Sequence, residues 1–185
     1  MEIMTHICND LARVLARIAR KKALEIQVPM VIAFADARGE LVHFQRMDKA
    51  LPVSSDIAVN KAFTAAALRM STQKAGRLVE QGQELAGLEL TNQGKMVIFG
   101  GGLPLSLDGE VVGSVGVSGG SVAQDMVVAQ AAANALEQME KTAQALLAIL
   151  PKTLEDLTDL ANKIQNLERK EGADSDILEG AFYLI

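Results

Sequence analysis

Two short turns constrain this chain more than anything else in it. Asp36-Ala37-Arg38-Gly39 separates the run Val28 to Ala35 from Leu41-Val42-His43-Phe44, and Asp108-Gly109 separates Leu103–Leu107 from Glu110–Ser118. Turns this tight join antiparallel strands, so the sheet must be built mainly from two hairpins. Val28 to Ala35 is apolar throughout apart from Pro29, the pattern of a strand covered on both faces. Met96-Val97-Ile98-Phe99 reads as a further strand, stopped by Gly100-Gly101-Gly102, which brings the expected number of strands to about five.

Helices account for the remainder. Ile3, Ile7, Leu11, Val14, Leu15 and Ile18 recur at helical spacing over residues 3–24, with Arg13, Arg17, Arg20, Lys21 and Lys22 toward the C-terminal half. Ser54 or Ser55 is placed to cap a helix running to about Met70. Its alanines, Ala58, Ala62, Ala65, Ala66 and Ala67, let a neighbour approach the backbone closely. A second short helix fits Ser71 to Gln81. Ser121-Val122-Ala123-Gln124 fits a capping box that opens a long helix ending near Leu150, just before Pro151. The order helix, hairpin, helices, strand, hairpin, helix defines an α+β fold, an antiparallel sheet flanked by helices in profilin- or PAS-like layers.

With 185 residues, one domain plus an appendage is expected. Residues 1–150 make the domain. Residues 151–185 form an amphipathic helical extension with Leu154, Leu157, Leu160, Ala161, Ile164 and Leu167 at heptad-like spacing. The extension ends on the apolar Ala181 to Ile185, suited to packing on its own domain or a sister subunit, or to recruiting another protein. The net charge of −5 argues against a nucleic-acid surface, which needs a basic face. Cys8, the single cysteine, has no internal disulfide partner and reads as a small core hydrophobe. No signal-like opening and no apolar run of about 18 residues stands in the sequence, so a cytoplasmic location is expected.

Several of these segments together resemble the GlcG/HbpS-like, haem-degrading family. They are Val31 to Asp36 with Gly39, Arg46-Met47-Asp48 with Ala50, Lys61-Ala62 and Thr64-Ala65. The most specific block is Phe99-Gly100-Gly101-Gly102-Leu103-Pro104-Leu105, Asp108-Gly109, Val112-Gly113, Gly116 to Gly120, and Gln124-Asp125. The resemblance spans roughly residues 10–140 and is that of a stand-alone relative of the C-terminal domain of PduO-type corrinoid adenosyltransferases. It implies an antiparallel sheet flanked by helices, a homo-oligomer, haem or a corrinoid-like ligand, and a link to diol or glycerol fermentation. Relatives often carry a histidine near the end of the first helix, where this chain has Leu24.

The residues themselves suggest where a ligand would sit. Gly100-Gly101-Gly102 and Ser118-Gly119-Gly120-Ser121 can turn backbone N–H groups toward a ligand, and the second stretch leads into a helix N-terminus that favours an anion. The alternative is structural, a strand bend and a simple helix cap. Arg46 and Lys61 are the cationic candidates, each weighed against an internal ion pair with Asp36, Asp48 or Asp56. Phe99 adjoins the first stretch. His6 and His43 form no two-histidine metal motif, and no iron ligand is assigned. No activated nucleophile or paired carboxylates stand out. Asp36 and Asp125 are the available acids, though a turn and a first helical turn explain them. A small-molecule binding module is therefore favoured over an enzyme acting on haem or a small carboxylate. A third reading is an assembly protein of a fermentative enzyme complex.

Overall fold

The computed structural model describes residues 6–149 and Tyr183; the rest of the expected C-terminal extension lies outside the described residues. In chain order the elements are α1 (Asn9–Glu25), β1 (Val31–Asp36), β2 (Leu41–Arg46), α2 (Ser54–Leu68), α3 (Thr72–Leu78), β3 (Gly102–Leu107), β4 (Glu110–Ser118) and α4 (Val122–Ile149). Two short 3-10 turns, Leu88–Leu90 and Asn92–Gly94, lie between α3 and β3.

Both hairpins form where the turns require them. They join through β1 and β4 into one antiparallel sheet of order β2-β1-β4-β3. Asp36 closes the first turn, its Oδ1 accepting from the Arg38 N–H at 2.8 Å and the Glu40 N–H at 3.0 Å, the local bonding that favours aspartate in turns. The sheet has four strands among the described residues, not about five. Met96 to Phe99 is irregular, because its backbone bonds outside any ladder: the Val97 N–H donates to Thr64 Oγ1 at 2.9 Å. An apolar β-branched run becomes a strand only where a neighbouring strand takes up its N–H and C=O groups.

Two helix starts also differ from expectation. The α1 helix begins at Asn9, with Cys8 at its N-cap accepting from the Leu11 N–H at 3.5 Å. At α2 neither serine caps: Val53 holds the cap position, and Ser54 is buried inside the first turn.

The sheet is covered on both faces, as the continuous apolar run requires. Ile32 and Phe34 of β1 join Val115, Val117, Leu103 and Leu105 in a core beneath α1 and α4. Val31, Ala33 and Ala35 face the other way and meet Ala58 and Ala62 of α2. On that face the strand register aligns Ala33, Gly116 and Gly102 in one cross-strand row almost free of side chains. Helix α2 fills the space. A Cβ on Gly116 would collide with the Ala58 carbonyl and lie 2.5 Å from Ala62 N, and one on Gly102 would lie 2.6 Å from the Lys61 carbonyl oxygen. The alanine-rich helix thus rests backbone to backbone on glycines, which puts Lys61 deep inside the protein.

Candidate functional site

Lys61 is 0% exposed and its ammonium group is fully engaged. Nζ donates to Asp125 Oδ2 at 2.7 Å and to the Val117 carbonyl at 2.8 Å, and lies 4.9 Å from the centre of the Phe99 ring. Burial lowers the Lys61 pKa, and the hydrogen bond and charge of Asp125 work against that fall. The other oxygen of Asp125, Oδ1, accepts from the Gly120 N–H at 3.0 Å. One carboxylate therefore ties the buried amine to the glycine loop at the start of α4. The capping box forms as the sequence implies: the Gln124 N–H donates to Ser121 Oγ at 3.3 Å, and the Ser121 N–H to Gln124 Oε1 at 2.9 Å.

The two glycine stretches close around this ion pair. Gly101 has φ +116, and a Cβ there would stand 2.6 Å from Lys61 Nζ and 2.7 Å from the Val117 carbonyl oxygen. Its C=O accepts from the Val117 N–H at 2.8 Å, and its N–H meets Met126 Sδ at 3.0 Å. The Gly102 N–H donates to Thr72 Oγ1 at 3.0 Å. Gly100 packs against Val122 and Met126, and Gly119 against Pro29 and Met30. Ser118 is buried opposite Val31 in the sheet.

The structure thus brings together Lys61, Phe99, Gly100, Gly101, Gly102, Ser118, Gly119, Gly120 and Ser121, and places Arg46 in one cross-strand row with Val31 and Ser118, at the edge of the sheet. Arg46 is exposed on the edge strand and donates to the Ala50 carbonyl at 3.4 Å, while Asp36 pairs with Arg38 at 3.6 Å. The N–H groups of Gly101, Gly102 and Gly120 are used inside the protein. The same segments turn Phe99 (44% exposed), Val122 (42%), Gly120 and Ser121 outward, with Gly100 packed against Val122 between them. The result is a small apolar wall with a polar margin, backed by a buried ion pair. Leu24, where relatives often have histidine, is exposed near the end of α1 and offers no imidazole. Among the described residues no group of three or more His, Cys, Asp or Glu is placed to hold a metal ion, and no helix is long and apolar enough to cross a membrane.

Two partners in this arrangement escape a reading of the sequence. Thr72 has no local signature. Asp125 is visible as a first-turn acid of α4, but its pairing spans 64 residues. The available signal is Lys61 itself, which shares the buried face of α2 with Ala58, Ala62 and Ala65. A lysine there requires an anionic or carbonyl partner.

These features define a class: a small antiparallel α+β domain whose glycine loops are locked around an internal ion pair. The model of the haem degrading protein HbpS-like family matches residues 7–134, and the chain belongs to that family. Among relatives, the chain is 47% identical over 128 residues to an uncharacterized 15.0 kDa protein of the dhaT-dhaS intergenic region of Citrobacter freundii; the match covers 69% of this chain and 90% of that one. It is 46% identical over 122 residues to the corrinoid adenosyltransferase PduO of Salmonella typhimurium, covering 66% of this chain but only 36% of PduO. The crystal structure of a PduOC–haem complex superposes with a TM-score of 0.67 at 43% identity, covering 70% of this chain and 94% of that one.

Proposed function

We propose that this protein binds haem as a small-molecule accessory protein, on the wall formed by Phe99, Val122 and the Gly120-Ser121 loop. The observation that carries this reading is the likeness to the PduOC–haem complex, which extends over nearly all of that chain. The local chemistry fits. Tetrapyrrole sites combine apolar, often aromatic, contact with a few polar groups, and the exposed Phe99, with the exposed Val122 and Ser121 at the start of α4, supplies both.

The buried residues take a positioning role. Lys61 is satisfied by Asp125 and Val117, so it holds Phe99 and the Gly120 loop in place and does not reach for a ligand carboxylate. Gly100, Gly101, Gly102, Ser118 and Gly119 permit the close packing behind the wall, and Arg46 stands in the cross-strand row of Ser118 at the sheet edge. A flat ligand held on such a face is half covered by one chain. The reading therefore includes a homo-oligomer in which a second copy supplies the other cover. A corrinoid ring offers a related flat surface, and the resemblance to PduO extends the proposal to a role beside diol or glycerol fermentation. Bound haem would supply its own redox chemistry, while the residues here bind and orient it. Lys61 and Asp125 are locked to one another, which favours binding over catalysis.

Haem titrated into the wild-type protein should give a saturable Soret band. A Phe99→Glu variant, which puts a carboxylate on the apolar wall, should bind at least about tenfold more weakly. Equal affinity in the two proteins would move the ligand to another face.

A further inference from the structure

Buried hydroxyls in this protein are paired, with two exceptions. Ser114 donates to the Ala62 carbonyl at 2.7 Å, Thr64 to Asn60 at 2.7 Å and Thr142 to Gln138 at 2.8 Å, while Thr72 bonds Gly102. Ser54 (2% exposed) and Ser118 (5%) have no side-chain hydrogen bond among the described residues. A native structure rarely leaves such groups unpaired without a use for them. The one partnerless side-chain atom sealed from solvent among the described residues is Glu89 Oε2, so both serine hydroxyls open at the surface.

The two serines are neighbours. Ser114 meets Ala62, and Gly116 lies under the Ala58 carbonyl. One turn back along α2 and two residues on along β4, each a step of about 5–7 Å, bring Ser54 over Ser118. Helix α2 starts there without a side-chain cap. The Ser54, Ser55 and Ile57 N–H groups turn back to Leu51, Pro52 and Val53, and the Asp56 N–H has no backbone acceptor among the described residues. Arg46 shares the cross-strand row of Val31 and Ser118. Its bond to the Ala50 carbonyl, at 3.4 Å, sets the guanidinium beside the loop that enters α2. Arg46 makes no ion pair among the described residues, although the exposed Asp48 and Asp56 are close in sequence. Two hydroxyls, an open N–H at a helix start and a guanidinium are all donors, and together they match the oxygens of an anion. We infer that Ser54, Ser118, Arg46 and the first turn of α2 bind a small free oxyanion, a molecule bearing a carboxylate or phosphate group.

Amide NMR of the full chain without haem tests this. Inorganic phosphate and malonate are added separately, against sodium chloride of matched ionic strength. Either anion should move the amides of Ser55, Asp56 and Ser118 saturably, while Asp108 and Gly109, at the far end of β4, stay at the chloride baseline. Arg46→Gln and the double change Ser54→Ala with Ser118→Ala should each weaken binding by about tenfold or more, the loss of charge-assisted contacts. Because the two hydroxyls have no internal partner, the serine double variant should melt no lower than wild type. A lower melting temperature would show that the hydroxyls serve the fold, and would overturn the assignment. So would amides that neither anion moves beyond the chloride baseline, shifts centred on Gly120 and Ser121 instead, or variants that bind as wild type does. The proposed haem wall is untouched by any of these outcomes.

Discussion

Asp125→Ala should destabilise the protein by about 3–5 kcal/mol, the loss typical when one member of a buried ion pair is removed. The variant leaves Lys61 with no anionic partner in a site where it is 0% exposed, and removes the acceptor of the Gly120 N–H. Urea unfolding followed by circular dichroism measures the change. The pH dependence gives a second signature. Burial already holds the Lys61 pKa below its ordinary 10.5, and Asp125 is what opposes that fall. Without Asp125 the folded-state pKa drops further. Between that value and 10.5 the unfolded chain binds the proton more tightly, so raising the pH favours folding. The deficit of Asp125→Ala should therefore be largest near neutrality and shrink in alkaline solution. A double variant, Lys61→Met with Asp125→Asn, removes the stranded charge while keeping an acceptor for Gly120, and should recover at least half the loss. A double variant as unstable as the sum of its single changes would show that the pair matters for packing and not for charge.

Gly116→Ala should cost about 3 kcal/mol, the upper end for overpacking a close-packed interior. The added methyl meets backbone of α2, the Ala58 carbonyl and Ala62 N, and not the movable end of a side chain. Helix α2 would have to lift, which also withdraws Lys61 from Val117 and Asp125. Gly109→Ala is the control. Its φ of +80 strains any other residue, but nothing lies within 4 Å of the added carbon, so it should cost about 1 kcal/mol. Thermal unfolding of the two variants separates crowding from backbone strain. Equal losses would mean that α2 yields easily and that the glycine row is not what seats it.

The fold was legible wherever the signal was local. Asp36 to Gly39 and Asp108-Gly109 each form the turn that their residues require, and both hairpins pair antiparallel, each with one shift in register, at Phe34/Ala35 and at Leu105/Ser106. Ser121 and Gln124 exchange the two hydrogen bonds of a capping box. The alanines of α2 announced a close approach, although not that glycines of β3 and β4 would receive it. Met96 to Phe99 misled because β-branched, apolar composition says that a segment is buried and not which groups take its backbone hydrogen bonds. Thr64, on a different element, takes one of them. The same limit applies at the site. The glycine stretches mark a place where side chains are excluded, and nothing local tells whether a ligand or the protein's own α2 and Lys61 fills the room. The partner of Lys61 lies 64 residues away, beyond any spacing rule.

Whether this chain receives haem is answered most directly by native mass spectrometry of the purified protein after incubation with haem. The wall of Phe99, Val122 and Ser121 predicts that assemblies of the chain gain mass in whole haem increments and keep it through gentle desolvation. A population that stays at the mass of the protein alone, at haem concentrations that saturate a genuine binder, would contradict it.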